Sequence, residues 1–352
     1  MRPSTTTALH CAPICEGGST SGVLSREDAI YFHPDLDLYR DTPIKPNVHP
    51  MIQNSDVYGE ISEGCRRRGL ELIAWTVPLH NQVLAAKHPD CALQGPFGDR
   101  YPGALCPANP QVREYVRAVS LDLDRNHDLE IIEYESLHYM QFGMFKNLPR
   151  IGVDLGDVGQ FLLSLCFCPH CSQRAGERDI DSETFRACVQ DRLTDLFAAG
   201  PPDQSVDDFV AAEPAVAEYV RMREVVVTSL VAELRSATET PISYLYMGDY
   251  LHGAIDRAAI EGIVNYVHLL CYGDDPVTAG RLARETAKTM TDGATLICGL
   301  EGHHPLDSAE TMHAFLKTVY ENGVRCRRAA GVTARRMVAD STSLSFRWAV
   351  CN

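Results

Sequence analysis

The chain has 352 residues, 45% of them hydrophobic, and a formal net charge of −15. That is enough apolar sequence for a sizeable core in one large domain or two small ones. The acidic balance excludes a nucleic-acid binder, since phosphate contacts need clustered Lys and Arg, and no apolar run is long enough to span a bilayer. The N-terminus shows no charged segment leading into an apolar run, so no secretory signal is read. The thirteen cysteines then read as reduced thiols of a cytoplasmic protein, some of them on metal, and not as a disulfide frame.

Apolar and amphipathic segments alternate along the chain. Thr7–Pro13 and Ala29–Phe32 are weak strand candidates. Met51–Arg68 has helical spacing and ends at Gly69, a favourable residue just past a helix. Leu70–Val77 follows as a buried strand. Asn109-Pro110 opens a helix whose apolar stripe is Val112, Tyr115, Val116, Val119 and Leu123, and Leu129–Tyr134 is the next strand. Residues 161–234 read as helical with a break at Gly200-Pro201-Pro202. Three further strands are expected at Ile242–Met247, Val264–Tyr272 and Ala294–Leu300, with helices at Asp256–Ile263, Val277–Thr291 and Ser308–Asn322.

Strands separated by helices imply parallel pairing with right-handed crossovers. No glycine-rich phosphate loop follows any strand, which argues against a nucleotide-binding sheet. The expectation is an α/β protein, a (β/α)8 TIM barrel forming one domain over residues 1–352. Its first and last units are expected to be incomplete or irregular. Little chain precedes Ala29, and Arg325-Cys326-Arg327-Arg328 is charged where a barrel strand should be apolar.

The sharpest motif is Cys166-Phe167-Cys168-Pro169-His170-Cys171, a C-x-C-x-x-C turn. Three thiolates supply most of the tetrahedral shell of a zinc ion. The fourth ligand is expected to be Cys106, just before the Asn109-Pro110 helix, with His170 as its rival. Four cysteine ligands leave no open position, so the zinc would be structural.

Barrel chemistry sits at the carboxyl ends of the strands. Glu133 and Glu135 share one side of their strand by period-two alternation, and Glu135 is nearer the end. Glu301 follows the Ala294–Leu300 strand. Two carboxyl groups across a pocket are what glycoside cleavage requires. Glu135 and Glu301 are therefore the candidate catalytic pair. His80, Asn81, Asp249, Tyr272 and His303 are candidate substrate ligands at other strand ends. Trp75 reads as core, or as a stacking platform for a sugar ring.

The order of a Cys-Pro-x-x-Pro-x-x-Arg helix start (Cys106 to Arg113), a strand ending in Glu135 and the C-x-C-x-x-C turn resembles the family-42 β-galactosidases. It also resembles the related glycoside-hydrolase-like barrels of the large retaining clan. Closer still are uncharacterised bacterial barrel proteins with a strand ending in Glu-Ser and the turn Leu-Cys-Phe-Cys-Pro-x-Cys. Those are Glu135-Ser136 and Leu165 to Cys171 here. The likeness covers roughly Leu70 to Pro305. It implies structural zinc on Cys106, Cys166, Cys168 and Cys171, an acid/base Glu135 ending the fourth strand, and a nucleophile Glu301 ending the seventh. Tyr134 stands where that clan has Asn. The expected activity is retaining hydrolysis of a carbohydrate or glycoside. The expected partners are a small-molecule or oligosaccharide substrate, with no nucleic acid and no membrane, and a homo-oligomer is compatible. A non-catalytic sugar-binding or decayed barrel, and a barrel lyase or isomerase with Glu135 as base, are the alternatives.

Overall fold

A computed structural model describes residues 28–69, 71–142, 154–246, 250–271 and 276–300. The expectations for the two chain ends, including the Thr7–Pro13 strand and the Ser308–Asn322 helix, fall outside these residues. Five strands form one parallel sheet: β1 Ile73–Thr76, β4 Ile131–Tyr134, β5 Ile242–Tyr246, β6 Tyr266–Cys271 and β7 Thr295–Leu300. They lie side by side in the order in which they occur in the chain. A short antiparallel hairpin, β2 Ala92–Gln94 and β3 Arg100–Leu105, stands apart. The Ala29–Phe32 segment contributes only an isolated parallel bridge, Ile30 with Val48.

The helices arise where the sequence provides caps and stripes. Helix α1 (Val57–Arg67) starts on Asp56, whose carboxylate accepts from Gly59 N, and Gly69 follows with φ 62°, a conformation glycine adopts without cost. Helix α2 (Gln82–Lys87) starts on Asn81. Helix α3 (Pro110–Asn126) starts on Asn109, whose Oδ1 accepts from Gln111 N at 2.8 Å and Val112 N at 3.4 Å. Pro110 occupies the first turn, where no N–H is needed. The helical region after β4 is α4 Gly156–Leu163, α5 Pro169–Gly176, α6 Ser182–Ala199, α7 Val206–Ala212 and α8 Pro214–Ala237, with the expected break after Ala199. Helices α9 Tyr250–Gly253, α10 Arg257–Glu261 and α11 Pro276–Thr289 complete the set. Among the described residues no helix is long and apolar enough to cross a membrane.

Side-chain contacts show which face of the sheet the helices cover. Tyr134 Oη donates to Ser120 Oγ of α3 at 2.7 Å, and Tyr246 Oη to Glu261 of α10 at 2.7 Å. Cys271 packs on Ala279 and Ala283 of α11. Helix α8 packs on both α3 and α10. These helices therefore form one layer on one face. The alternate residues, Trp75, Glu133, Glu135 and His268, point to the other face. Sequential order with a one-sided helical layer is singly wound topology, unlike an open sheet covered on both faces.

Removing the α3 cap should show directly in stability. Asn109→Ala should cost about 1 kcal/mol in chemical denaturation, with an unchanged denaturant slope.

Candidate metal centre and strand-end site

The hairpin places the first metal-ligating candidate. Beyond β1 the chain turns through His80, whose backbone bridges to Ala104. Asn81 N donates to Gly103 O at 2.9 Å and Leu105 N to Leu79 O at 2.8 Å. Gly103 has φ 90°, and a Cβ there would lie 2.8 Å from Gln82 Cγ, so only glycine fits this approach. Cys106 directly follows β3. Arg113, one turn into α3, donates to Pro107 O at 3.2 Å and forms a two-pronged ion pair with Glu233 of α8, 2.6 and 3.1 Å long. The Arg of the Cys-Pro-x-x-Pro-x-x-Arg start thus ties the Cys106 turn to α8.

The second element is the turn from α4 into α5. Phe167 N donates to Gln94 O at 2.7 Å, Gln94 N lies 3.4 Å from Cys166 Sγ, and Tyr219 Oη donates to Cys166 O at 2.5 Å. Phe167, Phe185 and Tyr219 pack against one another around the turn, with ring centroids 4.7–5.9 Å apart. As a result Cys106, Cys166, Cys168 and Cys171 are all buried, with their sulfurs within 4.8 Å of one another. Cys106 Sγ lies 3.5 Å from Cys171 Sγ, 3.5 Å from Cys168 Sγ and 4.0 Å from Cys166 Sγ. Four sulfurs at ~2.3 Å from one ion would sit ~3.8 Å apart, so this cluster could hold a tetrahedral metal ion. His170 is only half-buried and is not among these groups. Burial pushes the Cys106 and Cys171 thiols well up. The Cys168 thiol is pushed down by the bonds it accepts from Cys106, Cys166 and Cys171. An ion bound to thiolates displaces thiol protons.

At the end of β4, Glu135 N donates to Thr76 O at 2.8 Å, and Glu135 Oε2 accepts from Trp75 Nε1 at 2.6 Å. The half-buried Trp75 therefore holds the candidate acid/base carboxylate, a role its place inside an apolar strand did not suggest. One step down the same face, the buried Glu133 carboxylate is hydrogen-bonded to His268 Nδ1. Glu133 is in register with Ser243 of β5, and Ser243 with Tyr266 of β6. The partner His268 is thus two residues further along β6.

The loop after Glu135 is fastened at several points. Ser136 takes φ 55°, a left-handed conformation that costs a non-glycine residue on the order of 1 kcal/mol. Tyr244 Oη donates to Leu137 O at 3.2 Å, and Tyr139 N to Gly253 O at 3.2 Å. The Tyr139 hydroxyl lies 3.4 Å from Cys171 Sγ. Four residues therefore separate the strand-end carboxylate from the sulfur cluster.

The remaining site candidates divide as follows. His80 is half-buried on the loop after β1, beside Gly103. Asn81 is buried and caps α2, with Oδ1 accepting from Leu84 N at 2.8 Å, so its polar atoms serve the fold. Asp249, Tyr272, Glu301 and His303 lie outside the described residues. A cleft of about 770 Å³ is lined by Phe185, Val189, Phe209 and Val216 of the helical layer and contains none of the strand-end residues.

The chain has no match among protein-family models or among curated proteins. Solved structures do resemble it. The glycoside hydrolase domain of PgaB (BpsB) from Bordetella bronchiseptica aligns over 77% of this chain and 73% of its own, with a TM-score of 0.52 and 11% identity. The catalytic domain of a β-amylase from Paenibacillus polymyxa aligns over 77% and 79%, at TM-score 0.45 and 10% identity. The α-L-fucosidase isoenzyme 2 from Paenibacillus thiaminolyticus aligns over 84% of this chain but only 42% of its own, at TM-score 0.41 and 12% identity. The chain thus spans less than half of that fucosidase. The PgaB likeness shows that this chain has a glycoside-hydrolase-like fold.

Metal loading should release protons into weakly buffered solution, and apparent metal affinity should fall as pH is lowered. Cys106→Ser should reduce bound metal, measured by elemental analysis after gel filtration, from about one ion per chain to a small fraction of that.

Proposed function

We propose that this chain is a glycoside hydrolase on a single (β/α)8 barrel of the retaining, family-42-like kind, carrying a structural zinc ion. The observation that carries the reading is a strand-end carboxylate, Glu135, held by Trp75 on the face of the parallel sheet opposite α3, α10 and α11. Barrel enzymes build their sites there. The two-residue offset between Glu133 and His268 across two strands supports closure, because an eight-stranded barrel of shear 8 staggers by about one residue per strand. Carried on to β7, the same stagger sets Glu135 level with the end of that strand, and Glu301 is the next residue in the sequence.

In this reading the Glu301 carboxylate attacks the anomeric carbon while Glu135 gives its proton to the departing oxygen. Glu135 then takes a proton from water as that water displaces Glu301, and the configuration is retained. Trp75 fixes the Glu135 carboxylate. His80, Asp249, Tyr272 and His303 meet substrate hydroxyls. Tyr134, turned into the helical layer, does not. The all-sulfur donor set favours zinc. With four protein ligands the ion organises the fold and leaves the chemistry to the carboxylates. Buried free thiols of this kind suit a reducing compartment.

Screening aryl glycosides tests the assignment. On an accepted substrate Glu301→Ala should abolish turnover, with partial rescue by azide or formate. Glu135→Ala should slow poor leaving groups by about 10²–10⁴-fold and activated ones far less. Trp75→Phe should lower kcat by about 10–100-fold through loss of carboxylate positioning. Wild-type rates in both Glu variants would overturn the catalytic pair. Acceptance of no glycoside, with measurable sugar binding, would favour a binding barrel.

A further inference from the structure

Helix α8 carries Arg223, which is fully buried. Its Nη2 donates to His252 O at 2.8 Å and to Ser164 O at 3.3 Å. Its Nε and Nη1 have no hydrogen-bond partner among the described residues. No carboxylate lies within ion-pair distance of it among those residues, whereas the nearly buried Arg113 and the half-buried Arg257 each pair with a Glu. The adjacent, half-buried Glu224 feels the Arg223 charge but forms no ion pair with it. A buried guanidinium without a counter-charge is strongly unfavourable.

What Arg223 does meet is Tyr139. Its Cζ sits 4.4 Å from the Tyr139 ring centroid, well inside cation–π range. The far end of that ring carries the hydroxyl, 3.4 Å from Cys171 Sγ. Tyr139 is itself fully buried, so bulk solvent does not reach the ring. A divalent ion on four thiolates carries a net charge of about −2. It is a negative group at the far end of this Arg223–Tyr139–Cys171 arrangement.

We propose that Arg223 is the buried counter-cation of the metal–tetrathiolate centre and acts on it through Tyr139. The ring lies between cation and sulfur, and its hydroxyl donates to Cys171. Arg223 and Tyr139 are thus positioning residues for the metal. The inference rests on the reading of the four cysteines as a metal centre. It adds that the centre's excess negative charge is matched by a cation the fold buries for it.

The test is metal affinity of the full chain for zinc and cobalt(II), by competition with a chromophoric chelator, in wild type, Arg223→Met, Arg223→Lys and Tyr139→Phe. If the wild type binds neither ion, the metal-centre reading fails and this inference with it. Given wild-type binding, Arg223→Met should weaken both ions by about 10–100-fold, as loss of a group supporting metal ligands does. Arg223→Lys should recover most of that loss, because it keeps the charge. Tyr139→Phe should weaken binding by about 10-fold and shift the sulfur-to-cobalt charge-transfer band, with far-ultraviolet circular dichroism unchanged. Affinities within about 2-fold of wild type in Arg223→Met, alongside equal loss of stability in the loaded and stripped forms, would show a purely structural arginine and overturn the proposal. Should Arg223→Met not fold, Tyr139→Phe decides: unchanged affinity and an unshifted cobalt band overturn it.

Discussion

Four buried sulfurs within 4.8 Å of one another bring together the end of the hairpin and the α4–α5 turn, which also meet through Phe167 N and Gln94 O. Cys106 comes from the end of the hairpin, and the other three from the turn between α4 and α5. Cross-links of this kind act on long loops, where closure is entropically costly. Here 60 residues separate Cys106 from Cys166, and β4 lies between them. A metal ion at this point would clamp both flanks of the strand that ends in Glu135. Tyr139 extends the clamp to the Glu135 loop itself. On this account the metal centre is what keeps the candidate catalytic carboxylate in place.

The second constraint is the winding of the sheet. With the helices on one face and the strands in chain order, every crossover brings the next strand end to the same rim. The opposite face is closed at depth by the buried Glu133–His268 pair and opens at Glu135. That pair lies inside the sheet's polar face with each group hydrogen-bonded to the other, the condition under which burying such groups is tolerated. On the proposed reading, chemistry would take place at the strand ends. A glycoside-hydrolase-like fold and a carboxylate at a strand end are consistent properties of one architecture, and no nucleotide-binding loop competes with them.

Much of this was legible in the sequence, for identifiable reasons. Strands β4 to β7 are short apolar runs between capped helices, and Asn109-Pro110 announces α3 by the chemistry of its cap. The C-x-C-x-x-C spacing marked three members of the buried sulfur cluster and the helix start the fourth. The hairpin escaped, because β2 has only three residues and β3 contains Pro102 and Gly103, which mask an alternating pattern. Asn81 was read as a substrate ligand although Asn before an amphipathic stretch is also a cap signal. The links Trp75 to Glu135, Glu133 to His268 and Arg223 to Tyr139 span 60 to 135 residues of sequence or depend on packing between layers. No local periodicity encodes them. Arg223 in particular looks like an ordinary charged residue of an amphipathic helix until its burial is known.

Amide hydrogen exchange of the intact chain, with and without a strong metal chelator, tests the central claim most directly. If the metal centre fixes the Glu135 loop, removing the ion should speed exchange at residues 135–140 and in the Cys166–Cys171 turn. Protection in β5 and in the core of α8 should persist, since local opening leaves the rest of the core intact. Exchange at 135–140 that stays unchanged after verified metal removal would contradict the account.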